Sequence, residues 1–136
     1  MTEPHRWTEI DDVMVSFTIP GPITDRRWDA FVDTIVARRP ASCLLLCAGA
    51  ANVDAAQRRR STTAFMRTGS SVVVLTDNRV TRGLAMTMAW LGAKLDAHPW
   101  SDLSHALGRL RLADGTRRHL YEIAREFHHE HQHLDG

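Results

Sequence analysis

The sequence predicts a small mixed α/β sandwich: an N-terminal β-hairpin, then parallel strands joined by covering helices, with an extra helix at the C-terminal end. Three observations carry this. Val13-Met-Val-Ser-Phe-Thr-Ile19 alternates apolar residues at 13, 15, 17 and 19, the period of a half-buried strand. Ser42-Cys-Leu-Leu-Leu-Cys47 and Ser71-Val-Val-Val-Leu-Thr76 are short and apolar on both faces, as parallel strands buried between helices are. Between them lie segments with the 3.6-residue apolar period of helices.

In chain order, Trp7–Ile10 is expected to pair with the first long strand through an Asp11-Asp12 turn, and Pro20-Gly21-Pro22 ends that hairpin. Thr24 or Asp25 caps the first helix, whose stripe is Trp28, Phe31, Val32, Ile35 and Val36; Pro40 closes it. A second helix is expected over 52–68 with Gly69 at its C′ position. A third runs from Asp77 or Asn78 to about Leu91. Lys94–His98 reads as an edge strand ended by Pro99. Ser101 is expected to cap a fourth helix with Leu103, Ala106, Leu107 and Leu110 inward. Asp114-Gly115 breaks it, and a fifth helix with stripe Leu120, Ile123 and Phe127 runs into a His-rich tail. The expected division is a domain over 1–112 and a C-terminal helical extension over 113–136.

Composition narrows the function classes. Of 136 residues, 43% are hydrophobic and 24% charged, which excludes a disordered chain or a fibre. The net charge of +1 gives no global field for nucleic acid, so no nucleic-acid partner is expected. Met1–Trp7 lacks the apolar core of a signal peptide, and no window approaches the ~18 apolar residues of a membrane span. The two cysteines fit a reducing cytosol, so a cytoplasmic protein without membrane insertion is expected.

The element order, with Ser71-Val-Val-Val-Leu-Thr-Asp-Asn-Arg-Val-Thr-Arg-Gly83 and Ala97-His-Pro-Trp-Ser-Asp-Leu-Ser-His-Ala-Leu107 as its local carriers, resembles a STAS domain of the SpoIIAA-like, anti-sigma-factor-antagonist type. The likeness spans roughly residues 9–112. It implies a signalling module that works by protein contact. Signalling members carry Asp-Ser-Ser/Ala-Gly where this chain has Asp54-Ala55-Ala56-Gln57. Asp54 matches, but alanine has no oxygen to accept phosphate, so the resemblance implies binding without that regulation. The same branch resembles lipid-carrying CRAL-TRIO-type sheets, which implies a small apolar ligand as the alternative.

No catalytic constellation is legible. Gly-x-Ser-x-Gly, a P-loop and a Cys-x-x-Cys pair are all missing, and Cys43 and Cys47 read as buried small hydrophobes. In Glu126-Phe-His-His-Glu-His-Gln-His133 the i, i+4 pair His129/His133 and the i, i+3 pair His128/His131 could each hold a metal. A closed site needs further ligands, so neither a metal nor any cofactor is expected. Arg58-Arg59-Arg60 fan out by ~100° each and read as a solvated face. Asn78, Arg79 and Arg82 at the start of the third helix are the candidate anion or ligand site.

The third helix carries more apolar surface than a sheet needs. Its expected inward stripe is Val80, Leu84, Thr87 and Leu91, leaving Ala85, Met86, Met88, Ala89 and Trp90 for another contact. The C-terminal helix is the expected cover, and a second copy the next, with Trp90 and Trp100 as anchors. The sequence therefore predicts a non-enzymatic interaction module, possible also as a homodimer. Its partner-binding residues are Asn52, Asp54, Ala55, Met86 and Trp90.

Overall fold

Asp11 takes a left-handed conformation (φ 49°), which a short polar side chain tolerates, and reverses the chain between its first two strands. β1 (His5–Ile10) pairs antiparallel with β2 (Val13–Thr18), Ile10 opposite Val13 and His5 opposite Thr18. β3 (Ser42–Cys47), β4 (Ser71–Leu75) and β5 (Leu95–His98) then add in parallel, giving the order β1-β2-β3-β4-β5. The computed structural model describes residues 3–134, an α/β fold with this five-stranded mixed sheet and five α-helices. β1 starts at His5, two residues earlier than the sequence suggested.

Because the strands advance one place at a time in one direction, crossovers of one hand put their helices on one face. α1 (Asp25–Arg38), α2 (Ala55–Thr68) and α3 (Arg79–Trp90) cover Met14, Cys43, Cys47, Val72, Val74 and Leu95. Thr24 caps α1 and Asn78 caps α3, each side chain accepting an N–H three residues on. The α1–α2 seam is tied outside by Arg60, whose guanidinium reaches Asp25 at 3.0 Å and Asp29 at 2.8 Å. Asp25 and Asp29 of α1 are thus bridged to α2.

The opposite face carries Val13, Val15, Phe17, Leu44, Leu46, Val73 and Leu75. It is covered by a 3-10 turn (Trp100–Asp102), by α4 (Leu103–Gly108) and by α5 (Asp114–His131). This corrects the reading of the last helix as an extension, since Leu120, Ala124 and Phe127 belong to the same buried cluster as the strands. It also corrects β2: a half-buried strand was expected, but all six of its residues are buried because both faces are covered. Two smaller differences have local causes. Ser101 does not cap α4, because it sits inside the 3-10 turn whose Trp100 is anchored through Nε1 to the Cys47 carbonyl at 2.9 Å. Asp114-Gly115 starts α5 instead of separating it, with Arg117 reaching back to Asp114 at 3.1 Å.

Among the described residues no helix is long and apolar enough to cross a membrane.

Candidate interaction surface

The expected partner-binding residues fall into two groups at opposite ends of the helical face. Asn52, Asp54 and Ala55 lie at the carboxyl ends of the strands, next to the start of α3; the Ala51 N–H donates to Thr81 Oγ1 at 3.2 Å. Asn52 accepts the Gly21 N–H at 2.9 Å, and Ala55 is exposed. Trp90 is eleven residues further along α3, about 16 Å at 1.5 Å per residue. The turn that follows it approaches α2 at Met66, whose Cε sits 3.0 Å from where a Cβ on Gly92 would stand. Met86 lies between the two ends, so one binding site formed by all five residues is not what the fold brings together.

Asp54 has a local task. Its carboxylate accepts the Gln57 N–H at 2.8 Å while Gln57 Oε1 accepts the Asp54 N–H at 3.0 Å, a complete capping box. Gln57 is the residue that sequence reasoning missed, although Asp-x-x-Gln is the readable signature of that box. It is buried, and its Nε2 donates to the Ile23 carbonyl at 2.9 Å and to Asp25 Oδ1 at 3.1 Å. Its own carbonyl accepts the Trp28 indole N–H at 2.7 Å. Gln57→Ala strands the buried Ile23 carbonyl and leaves the part-buried Asp54 N–H to water, and is expected to cost about 1–3 kcal/mol, the range for one buried group left unpaired. Urea denaturation checks this, and a loss under about 1 kcal/mol would show that water replaces the amide.

The candidate anion site is largely occupied by the protein's own backbone. Asn78 Oδ1 accepts the Thr81 N–H at 2.9 Å, and Arg82 donates to the Thr76 carbonyl at 3.2 Å. Arg79 is exposed at the helix start.

α3 itself is turned the other way from the expectation. Thr81 and Ala85 are its buried residues, with Met88 and Ala89 packed beside them. Three of the four residues expected to face inward are outside: Val80 is 71% exposed, Leu91 60%, and Thr87 is exposed too, whereas Leu84 is half-buried and lines the cavity beneath the helix. Trp90 is 79% exposed and Met86 41%. A helix apolar on most of its circumference has no single stripe from which its buried side can be read. α5 cannot cover this surface, because it lies across the sheet. Trp100 cannot act as a surface anchor either, because it is 4% exposed in the core.

The remaining polar clusters serve packing. The Asp77 carboxylate accepts the Trp100 N–H at 2.9 Å, and His128 stacks on the Trp100 ring at 4.6 Å and 4°. His98 Nδ1 meets Asp102 at 2.9 Å, tying β5 to the 3-10 turn. His131 bonds the Phe127 carbonyl at 2.9 Å, whereas His129 and His133 are exposed. No three His, Cys, Asp or Glu side chains among the described residues converge as metal ligands. Cys43 is buried, and that burial pushes its thiol up to about 12, far from a reactive thiolate.

Two hollows remain. An open groove of about 710 Å³ between α1 and α2 has an apolar floor that includes Val32 and Val36, with charged walls of Asp29, Asp33, Arg59 and Arg67. A cavity of about 70 Å³ lies beneath α2 and α3, lined mainly by apolar groups including Leu45, Phe65, Val74 and Met88. That is about half of the ~150 Å³ that accommodates benzene in an engineered core. The small volume argues against a lipid chain there.

What the geometry defines is an α/β sheet wound in one direction, closed on both faces, with an uncharged apolar helix side left facing solvent. Comparison of the chain with protein-family models, with curated proteins and with solved structures gave no match in any of the three.

Proposed function

We propose that this chain is a non-enzymatic protein-interaction module that binds through the outer side of α3. The carrying observation is the exposure of Trp90 at 79%, with Met86 one turn before it on the same side of the helix and Leu91 next in the chain also exposed. Scattered single apolar residues on a surface need no explanation, but an exposed tryptophan with a methionine one turn away on the same helix side marks a contact site. An SpoIIAA-like relationship belongs to the same proposal, supported by a hairpin followed by three strand–helix crossovers. The alanines at 55 and 56 then make binding independent of phosphorylation at that turn.

A photo-activated cross-linker placed at Thr87 tests the reading in cells that make the full chain. A discrete adduct is expected, weakened about tenfold by Trp90→Arg as at an interface hot spot. Trp90→Arg is expected to leave stability within ~0.5 kcal/mol, since the side chain is largely in solvent. Absence of a discrete adduct at Thr87, with cross-linking only from the α1–α2 groove, would refute the assignment of this face.

A further inference from the structure

We infer that the partner of the α3 face is a second copy of this chain, with two α3 helices packed antiparallel across a twofold axis and Trp90 of each seated over Gly83 of the other. This rests on the reading of α3 as a docking face, and it specifies the occupant.

Gly83, Met86, Thr87 and Trp90 stand at i, i+3, i+4 and i+7, the spacing of one helical seam. All four are exposed, while the inward side of the helix is Thr81 and Ala85. The seam is therefore a second, outward one. Its ends differ in size: a tryptophan at one and a glycine at the other, about 10 Å apart along the axis. A Cβ built at Gly83 meets no heavy atom within 4 Å, so open space lies over that glycine. An antiparallel pair related by a twofold between Met86 and Thr87 places residue 83 opposite residue 90. The largest side chain of each copy then enters the gap left by the smallest of the other, and both contacts form at once. Small residues at 83 and 87 let the two axes approach to the ~8 Å of close helix packing.

Charge bears on this pairing only at its ends. The segment from Gly83 to Ala93 contains no ionisable side chain. Arg82 is turned back onto the Thr76 carbonyl, while the exposed Arg79, four residues before Gly83, continues the seam and in this register approaches Lys94 of the other copy, a like-charge contact at the solvated rim. The area suits a weak contact. Trp90 presents on the order of 200 Å², at ~150–250 Å² for a large aromatic side chain, and Met86 and Thr87 on the seam with Val80 and Leu91 at its flanks add to it. Two such patches fall short of the ~1,200 Å² at which stable specific interfaces begin, which is the range of transient contacts. The expected complex is a concentration-dependent dimer of micromolar strength, not an obligate one.

Sedimentation velocity on the untagged full chain, from about 1 µM to about 500 µM, tests this. The expected result is a shift from monomer to dimer across that range. Trp90→Arg should weaken the dimer about tenfold or more. Gly83→Gln is the decisive variant. It should weaken dimerisation similarly by filling the seat of the partner's Trp90, yet its melting temperature should hold or rise, because it replaces glycine inside a helix in open space. A chain that stays monomeric at the highest concentration overturns the inference, and so does a dimer unchanged by Gly83→Gln. If the purified chain is monomeric while the Thr87 cross-linker captures another protein, self-pairing is overturned and the docking face stands. If neither assay shows a contact, both readings fall.

Discussion

Removing residues 113–136 is expected to abolish cooperative folding altogether. These residues include α5, whose Leu120, Ala124 and Phe127 are buried against one face of the sheet. Without them Val15, Phe17, Leu44 and their neighbours on that face lose much of their cover, and α4 is too short to replace it. Each large apolar side chain returned to water forfeits roughly 1.5–3 kcal/mol. Several lost together exceed the ~5–15 kcal/mol net stability of a typical domain. The truncated chain should show no sharp thermal transition by circular dichroism and should bind hydrophobic dyes. Phe127→Ala is the graded version, touching the rings of Phe17 at 5.5 Å and Trp100 at 6.1 Å. It should fold but lose about 3–5 kcal/mol, the range for aromatic truncation in a core. A truncated chain that melts cooperatively near the full-length temperature would show that α5 is dispensable.

The second large effect is a loss of stability in mild acid traced to one side chain, His5. Its ring is fully buried, 4.7 Å from the Phe31 ring and 5.0 Å from that of Trp28, and its Nε2 bonds Ser16 Oγ at 2.9 Å. Its Nδ1 has no hydrogen-bond partner. Burial away from water, and secondarily the nearby Arg27 guanidinium, lower its pKa from 6.5 to about 4. Above pH 6.5 the ring is neutral whether the chain is folded or not, and it contributes no pH dependence. Below that the unfolded chain takes up a proton that the folded chain refuses until about pH 4. Stability therefore falls with pH across this window, by about 3 kcal/mol in all at ~1.4 kcal/mol per unit. His5→Gln keeps a donor for Ser16 without the titration, and should remove that part of the slope in urea titrations between pH 7 and pH 4. A variant with the wild-type slope would assign the acid sensitivity to other groups.

His5 also shows where sequence reading stops. It sits in a polar N-terminal stretch in which no strand period is visible before Trp7. Its burial follows from the antiparallel register that sets it opposite Thr18 and beneath α1. Gln57 was legible as a cap partner but not as a hub, because its contacts with Ile23 and Asp25 come from an element over thirty residues away. For the candidate interface, Met86 and Trp90 were visible as surplus apolar surface. Gly83 was not, since a lone glycine in a helical pattern does not signal a seat.

The sequence by itself determined the strands and the α/β class, and narrowed two caps to Thr24 or Asp25 and to Asp77 or Asn78. These depend on local periodicity and on side chains reaching two or three residues along the chain. The tertiary structure alone decided two things. It made α5 the cover of the sheet's second face, and it turned Val80, Trp90 and Leu91 outward. A helix apolar nearly all round, such as α3, carries no periodic signal of which side is buried. The hand of the crossovers chose the face of the sheet that α3 covers, and the packing of Thr81 and Ala85 against the neighbouring elements chose the side of the helix.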